Sequence, residues 1–266
     1  MDAHPPLDQD RLREALVRQG PYAAVEVVAE IDSTNAELLR RAGAGASAPA
    51  HLSALLAEHQ TEGRGRLHPL ESRPRPWLAP PRSSLTASVM VRPPPQAPAP
   101  LTLLSLAFAL AAAEALDLVL PGQAVLKWPN DVMVADRKIA GVLAGATAER
   151  QVVVGIGLNV HQTAAQLPDE RAISLALAGV PGADRTWLAV AVLSAAASWC
   201  ERWARGDAKL LAALRARMAT LGREAQVELP DGRIVTGAAE ALEADGSLRL
   251  RRRGGQTILV SAGEVM

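Results

Sequence analysis

Residues 126–145, LKWPNDVMVADRKIAGVLAG, decide how the chain is read. Trp128-Pro129 forces an extended or turning backbone, because the proline ring disfavours helical torsions in the residue before it. Asn130 and Asp131 then set an amide and a carboxylate at a strand end, where Asp131 can hold Mg²⁺ or a neighbouring arginine. VADRK is a hairpin turn in its own right, and Lys138 opens an apolar strand of small residues, 139–145. A lysine there either projects its charge into the space the glycines leave or faces solvent from the hairpin.

Downstream, VVVGIGLNV places Gly155 and Gly157 on one face of a hydrophobic strand, and Asn159 continues that alternation. Missing side chains leave a slot for a flat apolar ligand or for a closely packed helix. The pattern is not a dinucleotide fingerprint, which needs a third glycine and a helix start. Upstream, VEVVAEI (25–31) is a strand, and DSTNAELLRRAG turns it into a helix with Ser33 or Thr34 as N-cap, Glu37 at capping-box spacing from Thr34 and Gly43 as the stop. HLSALLAEHQ is the next strand, and from its end hangs QTEGRGRLHPLESRPRPW, residues 60–77. Gly63 and Gly65 are expected to free its backbone for positive φ, while Arg64 and Arg66 supply forked, permanently charged donors. Such a loop is a phosphate clamp or a solvated turn.

The frame around these segments is globular. The 266 residues are 49% hydrophobic, and 28 Lys plus Arg balance 28 Asp plus Glu, so no global field draws the chain to nucleic acid or an anionic membrane. One cysteine, Cys200, excludes an internal disulfide. No signal-peptide pattern opens the sequence, and the apolar segment 101–113 falls short of the ~18 residues that cross a bilayer, so a cytoplasmic location and no membrane partner are expected. A first helix is expected over 8–19, a buried helix over 101–120 and a helical block over 185–220 broken near Gly206. From residue 221 short strands alternate with Asp231-Gly232, Asp245-Gly246 and Gly254-Gly255 turns, as in a small SH3-like barrel. We divide the chain into 1–220 and 221–266.

In order and spacing, DSTN, EHQTEGRGR, LKWPNDV…DRKIAGVLAG and VVVGIGLNV, followed by a β-rich tail, resemble biotin protein ligase. That enzyme adenylates biotin and attaches it to a carrier-domain lysine. The resemblance runs from about residue 25 to the C-terminus and implies an α+β fold: a central mixed β-sheet flanked by helices, with a C-terminal SH3-like barrel. It implies ATP and Mg²⁺ as cofactors, biotin as substrate and a biotin carboxyl carrier domain as partner, for a monomer or homodimer. By resemblance, Ser33, Thr34, Asn35 and Gln60 serve the biotin site, the first two and Gln60 on the ureido ring. Gly63, Gly141, Gly155 and Gly157 let backbone approach ring and chain. Arg64 and Arg66 grip phosphates, and Lys138 sits between the biotin carboxylate and the α-phosphate. Asn130, Asp131 and Asn159 arrange nucleotide and metal, Trp77 packs on the adenine or biotin side, and Lys127 adds phosphate or structural charge pairing.

The chain also departs from the family pattern. Ten residues separate Arg66 from Trp77, where a second glycine–arginine step is usual, so Arg73 or Arg75 is the candidate replacement. Glu62 stands where a small residue is common. The ~25 residues before the first strand are too few for the DNA-binding domain of some members, which implies the monofunctional class. Within the same fold, a lipoate ligase would take a different acyl chain and an octanoyl transferase would need a reactive cysteine. A nucleic-acid module built on residues 64–82 and 249–255 is the competing class.

Overall fold

The computed structural model describes residues 4–43, 45, 48–67, 74–97 and 99–266. The first elements are α1 (Gln9–Arg13), β1 (Ala24–Ile31), α2 (Thr34–Ala42), β2 (Ser53–Gln60), β3 (Arg64–Leu67), β4 (Pro74–Pro76), β5 (Ser84–Val91) and α3 (Thr102–Asp117). There follow β6 (Val125–Lys127), β7 (Asp131–Val134), β8 (Arg137–Ala146), β9 (Val152–Asn159), α4 (Arg185–Ala204) and α5 (Ala208–Arg217). The tail adds β10 (Glu224–Glu228), β11 (Ile234–Leu242), β12 (Leu248–Arg251), β13 (Thr257–Val260) and β14 (Glu264–Val265).

Seven strands form the main sheet in the order β1-β2-β5-β9-β8-β7-β6. Only β1 and β2 pair in parallel, so the sheet is mixed. Period-two alternation sends its two faces to different helices. Leu55, Met90 and Val153 meet Leu38 and Ala42 of α2 in a small cluster. Their neighbours Ala54, Leu56, Val89, Val91, Val152 and Val154 join the large core, with α3 and α4. Helix α3 is apolar on every side and almost wholly buried, as expected of residues 101–120, although it ends earlier, at Asp117. Among the described residues, no helix is long and apolar enough to cross a membrane.

Local departures have local causes. The first helix is α-helical only to Arg13 and widens into a π turn over Glu14–Arg18. Gln19 N–H bonds Glu14 O at 3.0 Å and Tyr22 N–H bonds Leu16 O at 2.9 Å, which holds Leu12 and Leu16 both in the core. VADRK makes the expected hairpin between β7 and β8, with Ala135 and Asp136 at φ 50° and 56°, the left-handed pair of a tight two-residue turn. Gly206, at φ 67°, breaks the helical block as expected. In the loop after β2, β3 pairs with β4 as a two-stranded ribbon. The C-terminal strands form a five-stranded antiparallel sheet, β13-β12-β11-β10-β14. It docks on the main body through Trp128, whose indole N–H bonds Gly246 O at 3.0 Å and whose backbone N–H bonds Thr220 Oγ1 at 3.0 Å.

One buried ion pair ties the N-terminal segment to this frame. Arg185, at the start of α4, is 3.2 Å from Ser84 O, 2.7 Å from Pro5 O and 2.7 Å from the Glu58 carboxylate, with side chains 2% and 9% exposed. Removing one partner of such a pair strands a charge away from water. Arg185→Met should therefore lower unfolding free energy by about 3–5 kcal/mol in urea melts, and a loss below about 1 kcal/mol would show the pair to be solvated like a surface one.

Nearby, His161 stacks on His4 with ring centroids 3.9 Å apart. Burial, with smaller contributions from His4 and Arg185, lowers its pKa from 6.5 to about 4. The folded state therefore binds that proton later than the unfolded chain does. Stability should fall as pH drops from 6.5 towards 4, and His161→Phe should make the fall shallower in pH-dependent thermal melts. Parallel pH profiles for the two proteins would contradict this.

Candidate functional site

The site is built on cross-strand register. In the antiparallel pairs, Thr86, Gly157, Gly141 and Asp131 stand in one row across β5, β9, β8 and β7. Ser88, Gly155 and Leu143 stand in the next row. Both rows face α2, since Ser88 lies opposite Leu55 of that face. Two glycines at register positions leave a trough in an otherwise filled surface.

Polar groups close one end of the trough. Ser33 is the N-cap of α2, its Oγ accepting from the Ala36 N–H at 3.4 Å, so the cap falls on Ser33 and not on Thr34. Thr34 donates its backbone N–H and its hydroxyl to Gln60 Oε1, at 2.8 and 2.9 Å. Ser88 Oγ lies 2.7 Å from Thr34 Oγ1 and 2.6 Å from Asn35 Oδ1. Ser88 was not picked out from the sequence, although SSLTASV shows polar residues at every second position of an apolar strand. Asn35 is engaged within the chain, donating to Leu143 O at 2.9 Å. A Cβ on Gly155 would sit 2.5 Å from Asn35 Oδ1. Gly155 is therefore packed by the Asn35 amide of α2, the close helix packing that was one of the two readings its spacing allowed.

Charge lies at the other end. Lys138 Nζ is 2.7 Å from Asp131 Oδ1, and a Cβ on Gly141 would stand 3.0 Å from the lysine's Cε and Nζ. The lysine thus lies across the glycine row instead of pointing out from the hairpin. Lys127, the register partner of Asp131, is half-buried beside it. Between the two ends sits Trp77, whose ring atoms Cε2 and Cζ2 would be 2.5 Å from a Cβ on Gly157. Its indole N–H is buried with no partner among the described residues. Gly63 does not take positive φ. It is needed for close approach, since a Cβ there would meet Trp77 O at 2.4 Å and Gln60 Nε2 at 2.9 Å. The contacts run unbroken from Ser33 and Thr34 through Gln60, Gly63, Trp77 and Gly157 to Gly141, Lys138 and Asp131.

The remaining candidates are placed differently. Arg64 faces Glu62 at 3.3 Å and is half-exposed, whereas Arg66 donates to Gly263 O of the C-terminal sheet at 3.0 Å. The two arginines do not converge. Arg66 instead lines a cavity of about 170 Å³ between the two sheets, with Asn130, Trp128, Leu143, Gly246 and Ser261. Asn130 donates to Val142 O at 2.6 Å, and Asn159 donates to Ile173 O at 3.1 Å while accepting from Gln162 at 3.0 Å. Both amides brace the strands that carry the site, and Gln162, which secures Asn159, was missed because it lies past the strand end. Arg73 and the side chain of Arg75 lie outside the described residues. Cys200 is buried in α4, and burial pushes its thiol up to about 12. Arg249 and Arg251 pair with Glu243 and Glu240, at 3.2 and 2.6 Å, so they do not form a bare cationic patch.

The packing at Gly157 makes a sharp expectation. Gly157→Ala should displace the Trp77 indole, red-shifting its emission, taken as the difference between each protein and its Trp77→Phe counterpart, without loss of secondary structure. An unchanged Trp77 spectrum would contradict the contact.

Comparison with known proteins places the chain in a family. The model of the Biotin/lipoate A/B protein ligase family matches residues 27–161, and that of the Biotin protein ligase C terminal domain matches residues 220–266. The biotin--[acetyl-CoA-carboxylase] ligase of Mycobacterium tuberculosis is 40% identical over 266 residues, 98% of this chain and 96% of its own. The bifunctional ligase/repressor BirA of Escherichia coli is 33% identical over 176 residues, covering 64% of this chain and 51% of that protein. A biotin protein ligase from Aquifex aeolicus, solved in complex with biotin and ATP, superposes with a TM-score of 0.75 at 27% identity, over 92% of this chain and 98% of that one. The chain belongs to the biotin protein ligase family.

Proposed function

We propose that the protein activates biotin with ATP as biotinyl-5′-AMP and transfers the biotinyl group to a lysine of a biotin carboxyl carrier domain, of the acetyl-CoA carboxylase type. The observation that carries this reading is the unbroken line of contacts from the Ser33, Thr34 and Gln60 hydrogen-bonding groups to the Lys138 ammonium, laid over Gly157 and Gly141.

In this reading a ureido ring meets Ser33, Thr34 and Gln60, with Ser88 behind them, and the acyl chain follows the glycine row towards Lys138. A carboxylate oxygen attacks the α-phosphorus, the bond from that phosphorus to the bridging β-phosphate oxygen breaks, and pyrophosphate leaves with the electron pair. Two anions must approach, so the barrier is mainly electrostatic, and a fixed ammonium at the meeting point lowers it. In the second half the carrier lysine, as free amine, attacks the acyl carbon. The acyl–phosphate bond breaks, AMP leaves and the amine loses its proton. No enzyme nucleophile is needed, consistent with a Cys200 thiol that burial holds protonated. Trp77 over the trough, on the ribbon of β3 and β4, supports a role for this loop in keeping water from the anhydride.

The donor set is compatible with Mg²⁺ that arrives on the triphosphate. Among the described residues there is no cluster of three metal-ligating side chains, and Mg²⁺ commonly uses one or two carboxylates plus substrate phosphates. Asp131 is the residue that would hold it, and the bound ion would offset charge on the phosphates. Arg64, Arg66, Lys127, Asn130 and Asn159 are assigned to the nucleotide in the same reading. Their approach requires the arginines to leave Glu62 and Gly263.

The direct test is an avidin blot of a carrier domain incubated with the protein, ATP, Mg²⁺ and biotin, with lipoate and its carrier as the parallel reaction. Biotinylation alone is expected, and lipoylation without biotinylation would overturn the assignment. Lys138→Ala should lower biotin-dependent ATP–pyrophosphate exchange by about a hundredfold or more while circular dichroism stays unchanged. Exchange at the parent rate would remove Lys138 from the mechanism.

A further inference from the structure

The turn bearing Ser33 and Thr34 is held from outside by charge. Asp32 Oδ1 accepts from the Ser33 N–H at 2.7 Å, and Arg40 of α2 reaches back to both oxygens of that carboxylate at 2.8 and 3.0 Å. Arg40 also bonds Glu37 at 2.6 Å, Glu37 accepts from Arg41 at 2.6 Å, and Arg41 reaches Glu26 of β1 at 2.6 Å. Five charged side chains thereby lash β1 and α2 to the residue that precedes Ser33. The Asp32 carbonyl accepts from the Glu62 N–H at 2.8 Å, which fastens the start of the loop to the same residue.

We propose that Asp32 is a positioning residue for ligand capture: its carboxylate, fixed by Arg40, aims the hydrogen-bonding groups of Ser33 and Thr34, and its carbonyl registers the loop against them. The inference rests on the biotin-ligase reading. Hydrogen bonds from Arg40, helped by the Ser33 N–H and the fields of Arg40 and Arg64, hold the Asp32 carboxyl down at about 2, so it is charged whenever the protein is folded near neutrality. Side-chain exposures of 54% for Arg40 and 31% for Asp32 keep the ion pair itself weak. The bond into the Ser33 N–H has the directional effect, because a rotated Ser33 would lose both its cap on Ala36 and its place beside Thr34.

The test measures biotin binding by calorimetry, together with steady-state kinetics, on the full chain and its variants. Asp32→Ala should raise the biotin Kd and KM about tenfold, whereas Asp32→Asn, which keeps an oxygen for the Ser33 N–H, and Arg40→Ala should raise them about threefold. In all three, kcat at saturating biotin and the KM for ATP should stay at parent values, with the melting temperature lowered by no more than the few degrees that a lost helix cap costs. Unchanged biotin affinity in Asp32→Ala and Arg40→Ala overturns the proposal, as does a fall in kcat in step with affinity, which marks general damage. Absence of biotin binding by the parent chain itself overturns the functional reading and this inference with it.

Discussion

Cross-strand register is the constraint on which the rest depends. Gly141 and Gly157 face each other, and Asp131 and Thr86 flank them, only in the observed pairing of β5, β9, β8 and β7. A slip by one residue would turn Val142 and Ile156, both core residues, into the trough and send the glycines into the core. The hydrophobic core therefore enforces the site: the burial that keeps Val154, Ile156 and Leu158 against α3 and α4 also opens the opposite face at Gly157.

The trough would be a mere packing defect without groups at its ends. Helix α2 supplies one end, because capping its first turn places Ser33 and Thr34 where β2 ends at Gln60. The β7–β8 hairpin supplies the other, because its two-residue turn brings Lys138 back beside Asp131. The C-terminal sheet contributes from outside. It holds Trp128 through Gly246 and Arg66 through Gly263, so the loop arginine and the strand entering Asn130 bear on the same small unit. A two-part architecture in which neither part alone completes the surroundings of the site follows from these bonds.

Much of this was legible in the sequence, for reasons that differ by residue. The strands and α3 announced themselves through apolar periodicity, and the hairpin through VADRK. Lys138, Asp131, Thr34 and Gln60 stand out because their order and spacing resemble a known family, and the structure brings them to the two ends of the trough. The alternation of SSLTASV marks Ser88 as polar but not which partner it meets, and Gln162, just past a strand end, carries no local signature until register sets it beside Asn159. Gly155 and Gly157 illustrate the limit most clearly. Alternation correctly predicted that both face one way, but which atoms fill the space, Asn35 for one and Trp77 for the other, depends on elements distant in sequence. The arginines of the loop take different partners for a similar reason, since Glu62 holds Arg64 and Gly263, distant in sequence, accepts from Arg66.

A crystal structure of the protein with a non-hydrolysable biotinyl-adenylate analogue examines the central claim most directly. The bicyclic ring should lie against Ser33, Thr34 and Gln60, the linking phosphate should be within hydrogen-bond distance of Lys138 Nζ, and the acyl chain should run along Gly157 and Gly141. An analogue bound elsewhere, or a Lys138 that remains on Asp131 without touching it, would contradict the claim that these two strands form the meeting place of acid and nucleotide.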